Sequence, residues 1–207
     1  ALDLSDLAPG ESPPQGEWMS DETFLDAYDG KKLFCRRWAP AEGTPERGAI
    51  ALMHGYGEHV SRYEHVAVGL VRAGYGVMAI DARGHGRSTG DRAHIDAYGA
   101  YVRDFGVLVR RVNRRWPNVP TLGLGHSNGG LVALHYALED PPGIEGFAVT
   151  SPMCDFALDI PSLKRWSGKW LSRIWPSFSF ESNLNPDELT HVSRVVEQYR
   201  DDPLVQR

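Results

Sequence analysis

Four short apolar runs, each cut off by glycine or proline and separated from the next by helical periodicity, constrain this chain most. They occupy residues 49–53, 76–80, 121–124 and 146–150. Their hydrophobicity is continuous rather than alternating, which suits strands covered on both faces of a parallel sheet. Between the first two, Tyr63, Val66, Ala67, Leu70 and Val71 form an i, i+3, i+4 stripe that predicts a helix over 62–73, with Gly74 ending it. Tyr98, Tyr101, Val102, Phe105, Val109, Val112 and Trp116 repeat that period, predicting a second helix with Asp96 as N-cap and Pro117 as the stop. A third, over 128–139, is apolar nearly all round, as a buried helix is. Ahead of these elements, 23–28 and 31–38 read as two strands joined at Asp29-Gly30, a pair suited to a type I′ turn with both central residues at positive φ. Strand alternating with helix predicts an α/β fold with a mostly parallel sheet.

The chain has 207 residues, enough for one domain with a modest insertion. Residues 1–18 read as a flexible acidic tail and 19–154 as the core. Beyond Cys154 no buried strand is legible, but Leu163, Trp166, Trp170, Leu171, Ile174 and Trp175 lie at helical spacing, and 188–199 is a second, more polar helical candidate. We therefore expect a helical cap over 155–200, above the sheet edge where open α/β folds bind ligands, and a return to the core over 201–207. A net charge of −5 argues against a nucleic-acid partner. Arg110, Arg111, Arg114 and Arg115 read as a solvated helix face. The two cysteines, Cys35 and Cys154, have no metal-binding spacing and are expected to be buried thiols. No apolar run reaches the roughly 18 residues of a membrane span, and no leader pattern opens the chain, so a cytoplasmic protein is expected.

The chemistry is carried by Gly125-His126-Ser127-Asn128-Gly129. Gly-x-Ser-x-Gly alone is a weak signal, but here it follows an apolar strand and opens an apolar helix, the setting of a nucleophile elbow. Small residues at both ends leave room for a strained serine, and the helix N-terminus favours a developing oxyanion. A second loop, His54-Gly55-Tyr56-Gly57-Glu58-His59, follows the run at 49–53, where an α/β-hydrolase supplies one backbone oxyanion donor. That assigns the two donors to the amides of Tyr56 and Asn128, with Ser127 as nucleophile. His85, in the loop 81–88, precedes the serine, whereas this fold orders its triad serine, acid, histidine; it is read as structural. No cofactor is expected, because serine acyl transfer needs neither metal nor organic group.

These motifs resemble the monoacylglycerol lipases and related lysophospholipases of the serine-aminopeptidase-like hydrolases. The resemblance spans about 20–205. It takes in His54 through His59 with Arg62-Tyr63, Asp81 through Gly90, Gly125 through Gly130, Ser151-Pro152, and Asp202-Pro203-Leu204-Val205. It implies an α/β-hydrolase fold with a helical lid over an apolar tunnel, hydrolysis of one acyl chain from a small polar head group, and Glu58 and Arg62 near that head group. Asn128 departs from it, since such enzymes usually carry methionine there. In that family further strands follow the cap and bear the catalytic acid and histidine, and these C-terminal strands are expected to be missing from this chain. After Ser127 only His135 and His191 are available as bases. His135 lies about 12 Å along the nucleophile's own helix and cannot reach the serine. Ser127 therefore needs an acid and a base from elsewhere, either the protein's own C-terminal fragment or a second copy exchanging segments, and the strand at 146–150 should be an exposed sheet edge. The expected substrate is a small lipid-like ester. A thioesterase, an aminopeptidase using a cap carboxylate (Asp155, Asp159, Glu181 or Glu188), and a catalytically inactive binding module remain as alternatives.

Overall fold

The computed structural model describes residues 18–92, 94–139, 141–154 and 192–206. The described elements run β1 (Trp18–Asp26), β2 (Lys32–Pro40), β3 (Gly48–Met53), a 3₁₀ turn (Val60–Tyr63), α1 (Glu64–Arg72), β4 (Tyr75–Ile80), α2 (Gly99–Arg115), β5 (Thr121–His126), α3 (Asn128–Leu138), β6 (Gly146–Thr150) and α4 (Ser193–Asp201). The tail and the segment 155–191, including the tryptophan-rich part of the expected cap and His191, lie outside the described residues. The described strands form one sheet in the order β1-β2-β4-β3-β5-β6. β2 is antiparallel to β1 and β4, whereas β3, β4, β5 and β6 run parallel.

Period-2 alternation sends the central strands' side chains into two cores. On one face Met53, Met78 and Ile80 meet Phe105, Leu108, Val109 and Val112 of α2 and Val132 and Ala133 of α3. On the other, Ile50, Leu52, Val77 and Ala79 pack with Val60, Ala67, Val68 and Val71 around α1. α1 and α3 thus lie on opposite faces of the sheet although β3 and β5 are neighbours. The loops after β3 and β5 diverge there, and this switch point is where an open α/β sheet offers a crevice.

Several expectations need correction. The β1–β2 turn is not type I′: among its residues only Gly30 has positive φ, +81°. The Gly30 N–H reaches the Ala27 carbonyl at 3.1 Å and the Ala27 N–H the Lys31 carbonyl at 2.8 Å, so three residues close the hairpin around one left-handed glycine. Asp96 does not cap α2; Tyr98 occupies the N-cap, without a side-chain bond. Cys35 is buried, and burial pushes its thiol up to about 12, but Cys154 is exposed. The arginines at 110, 111, 114 and 115 are exposed, as a solvated face requires. Among the described residues β6 pairs on one side only, with β5.

Candidate active site

Ser127 stands between β5 and α3 with φ 52° and ψ −119°. Positive φ is rare for a residue with a Cβ and costs about 1–3 kcal/mol. Backbone bonds hold it in place. Its N–H donates to the Thr150 carbonyl at 2.9 Å, and its carbonyl accepts the N–H groups of Leu131 and Met153, both at 3.1 Å. The end of β6 therefore brackets the serine. This contribution had no side-chain signature, although Ser151-Pro152 marked the position; Ser151 itself has φ 45°. A Cβ on Gly125 would lie 2.3 Å from the Gly129 carbonyl oxygen, and one on Gly129 would lie 2.2 Å from that of Met53. Sterics thus require glycine on both sides of the serine.

The loop after β3 meets this turn from across the switch point. A Cβ on Gly55 would lie 3.3 Å from Ser127 Cβ. Tyr56 follows, 41% exposed, its ring edge-on to His85 with centroids 5.3 Å apart. Asn128, the first residue of α3, is buried, and its Oδ1 accepts the Tyr98 hydroxyl at 3.2 Å. Its amide belongs to the first turn, whose N–H groups have no intrahelical partner.

Glu58 and Arg62 lie beside this loop. Arg62 Nε donates to Glu58 Oε1 at 3.3 Å, and its guanidinium sits 4.8 Å from the Tyr199 ring centroid of α4. Burial pushes the Glu58 carboxyl upward, but the Tyr63 hydrogen bond and neighbouring positive charge outweigh it and hold the group below the usual range. With Tyr63, Leu124, His126 and Thr150 these residues line a cavity of about 310 Å³. The return segment docks here too: His59 Nε2 and Asp202 Oδ2 are 2.7 Å apart, and the Gln206 N–H donates to the Gly57 carbonyl at 2.9 Å.

The buried histidines are committed elsewhere. His54 Nε2 accepts the Ala82 N–H at 2.8 Å, which requires an unprotonated nitrogen, so Nδ1 carries the proton and donates to the Gly55 carbonyl at 2.7 Å. Burial depresses His54 further, in keeping with a neutral ring. His85 Nδ1 donates to the Arg83 carbonyl at 3.0 Å, and burial, then the adjacent His54, hold the ring to about 4. The half-buried His126 has Nδ1 2.8 Å from Thr150 Oγ1, and the exposed His135 ring lies tilted against that of Tyr98, centroids 5.3 Å apart. Among the described residues no histidine hydrogen-bonds the Ser127 hydroxyl. No helix among them is long and apolar enough to cross a membrane.

A mostly parallel sheet in this order, with a strained serine at the β5–α3 turn, is an α/β-hydrolase fold. The family described as serine aminopeptidase, S33 matches residues 44–207. Rat monoglyceride lipase is 35% identical over 193 residues, covering 93% of this chain and 63% of its own. Monoacylglycerol lipase of Mycolicibacterium smegmatis is 35% identical over 186 residues, covering 90% and 65%. The crystal structure of Paleococcus ferrophilus monoacylglycerol lipase superposes with a TM-score of 0.70 at 33% identity, over 84% of this chain and 64% of that one. A soluble variant of Saccharomyces cerevisiae monoglyceride lipase has the same fold, with a TM-score of 0.77 at 22% identity over 96% and 66%. The chain belongs to the serine aminopeptidase S33 family of hydrolases, and it spans a little under two thirds of the length of these relatives.

Proposed function

We propose that the protein is a serine hydrolase that cleaves a carboxylic ester bearing a single acyl chain, of the monoacylglycerol or lysophospholipid type. The observation that carries this reading is Ser127 itself, at positive φ on a strand-to-helix turn with the Gly55 loop packed against it. In this reading Ser127 Oγ attacks the ester carbonyl as a base takes its proton. The amides of Tyr56 and Asn128 hold the tetrahedral oxyanion, the alcohol leaves with a proton, and water then releases the acid from the acyl-enzyme. The base and its carboxylate partner come from residues outside this sequence. Glu58 and Arg62, on the wall of the neighbouring cavity, take the polar head group.

The names of the relatives support an ester substrate, and the mixed apolar and charged lining of the cavity suits an amphiphile. A substrate panel tests the proposal: monoacylglycerols, lysophosphatidylcholines, acyl thioesters and amino-acid amides, each offered to the full-length protein and to Ser127→Ala. Ser127-dependent release of fatty acid from the single-chain esters is expected, with amides turned over poorly. Faster cleavage of amino-acid amides would overturn the substrate class, and equal rates in Ser127→Ala would overturn the nucleophile.

A further inference from the structure

Tyr63 belongs by spacing to the apolar stripe of α1, yet its hydroxyl is turned away from the core and into the loop after β3. The Gly55 N–H reaches Tyr63 Oη at 3.3 Å, and Tyr63 Oη reaches Glu58 Oε2 at 2.6 Å. A phenol has one proton. Here it goes to the carboxylate, so the same oxygen must accept from Gly55. Burial, then the charge and hydrogen bond of Glu58, push the Tyr63 phenol well above its ordinary range and keep that proton in place.

The other side of Gly55 is fixed as firmly. Its carbonyl takes the His54 Nδ1–H at 2.7 Å and the Glu58 N–H at 3.4 Å, while His54 is anchored to the end of β4 through the Ala82 N–H. Both peptide units flanking the Gly55 Cα are therefore held. The Gly55–Tyr56 peptide is trans, so its N–H points opposite to its carbonyl. Setting the Gly55 carbonyl sets the direction of the Tyr56 N–H.

We propose that Tyr63 is a positioning residue for acyl transfer: its hydroxyl, braced on Glu58, fixes the Gly55 peptide beside Ser127 and so aims the Tyr56 N–H at the oxyanion. The inference rests on the acyl-transfer reading above. Tyr63 acts on the reacting atoms only through Gly55, whose N–H its hydroxyl accepts. Losing the hydroxyl leaves the fold and the ring packing intact but lets the donor drift, and ångström-scale misplacement of a catalytic group costs up to about a hundredfold in rate.

The test is Tyr63→Phe in the full-length protein, with fluorophosphonate labelling and p-nitrophenyl butyrate hydrolysis measured beside wild type. The expected result is that the labelling rate constant and kcat fall together by roughly ten- to a hundredfold, with KM within about twofold. A hydroxyl that merely supported folding would move Tm without that paired loss. If wild type labels at Ser127 and Tyr63→Phe labels and turns over within about twofold of it, this inference alone is overturned. The same holds if KM rises while kcat is unchanged, since the hydroxyl would then bind substrate. If wild type fails to label at all, the acyl-transfer reading falls and this inference falls with it.

Discussion

Holding Ser127 at φ 52° requires neighbours that leave no freedom, and the glycines around it show how little there is. Gly129 lies so close to the Met53 carbonyl that a methyl group would have to displace backbone, not a side-chain tip. Gly129→Ala should cost about 3 kcal/mol or more, at the upper end for overpacking, measured by urea denaturation. A loss below about 1 kcal/mol would mean the turn relaxes freely. His85 makes a separate prediction. Burial, then the adjacent His54 and Arg92, hold it to about 4 against an ordinary 6.5, so between those values the unfolded chain binds the extra proton. Its contribution is complete above pH 6.5 and is lost as pH falls toward 4, roughly 3 kcal/mol over the window. His85→Leu should flatten the dependence of unfolding free energy on pH across that range; an unchanged slope would contradict the assignment. At this scale Ser127, Gly125 and Gly129 were legible because sterics dictate their residue types. Tyr63, Thr150 and Met153 were not, since they act through single hydroxyl or backbone contacts that no spacing announces.

Between elements, Arg83 is the main polar tie. Its guanidinium is bidentate to Asp104 of α2, at 2.6 and 2.7 Å, and reaches Asp29 of the β1–β2 turn at 2.8 Å. Asp104 is fully buried, so removing Arg83 strands a carboxylate inside the protein. Arg83→Leu should destabilise by about 3–5 kcal/mol, and adding Asp104→Leu should recover much of that, because an apolar pair leaves no unpaired charge. Denaturation of the single and double variants decides it: a double variant no more stable than the single would contradict the argument. The central strands could be read because burial on both faces leaves continuous apolar runs, as in β3, where every residue is buried. β1 starts at Trp18, earlier than the sequence suggested, because it is an edge strand mostly open to solvent. Its ladder to β2 holds it along its whole length, while apolar anchoring is confined to Trp18, Phe24 and Leu25, so periodicity marked only its second half.

For the whole molecule, the two cores flank β3, β4 and β5, while β1 and β6 lie at the rims of the described sheet. Amide exchange should therefore be slow in β3 and β4 and faster in β1. Mass-spectrometric exchange showing β1 protected like β3 would contradict this ranking. The α/β class followed from strand–helix alternation, but the meeting of the loops after β3 and β5 depends on which sheet face each helix takes, which the chain order alone left open. That meeting carries the proposed chemistry, in which Ser127 forms an acyl-enzyme. Peptide mapping after fluorophosphonate treatment of the full-length protein tests it most directly. One adduct, on the peptide containing Ser127 and absent from Ser127→Ala, is the predicted result; no adduct on wild type, or an adduct on another residue, would contradict it.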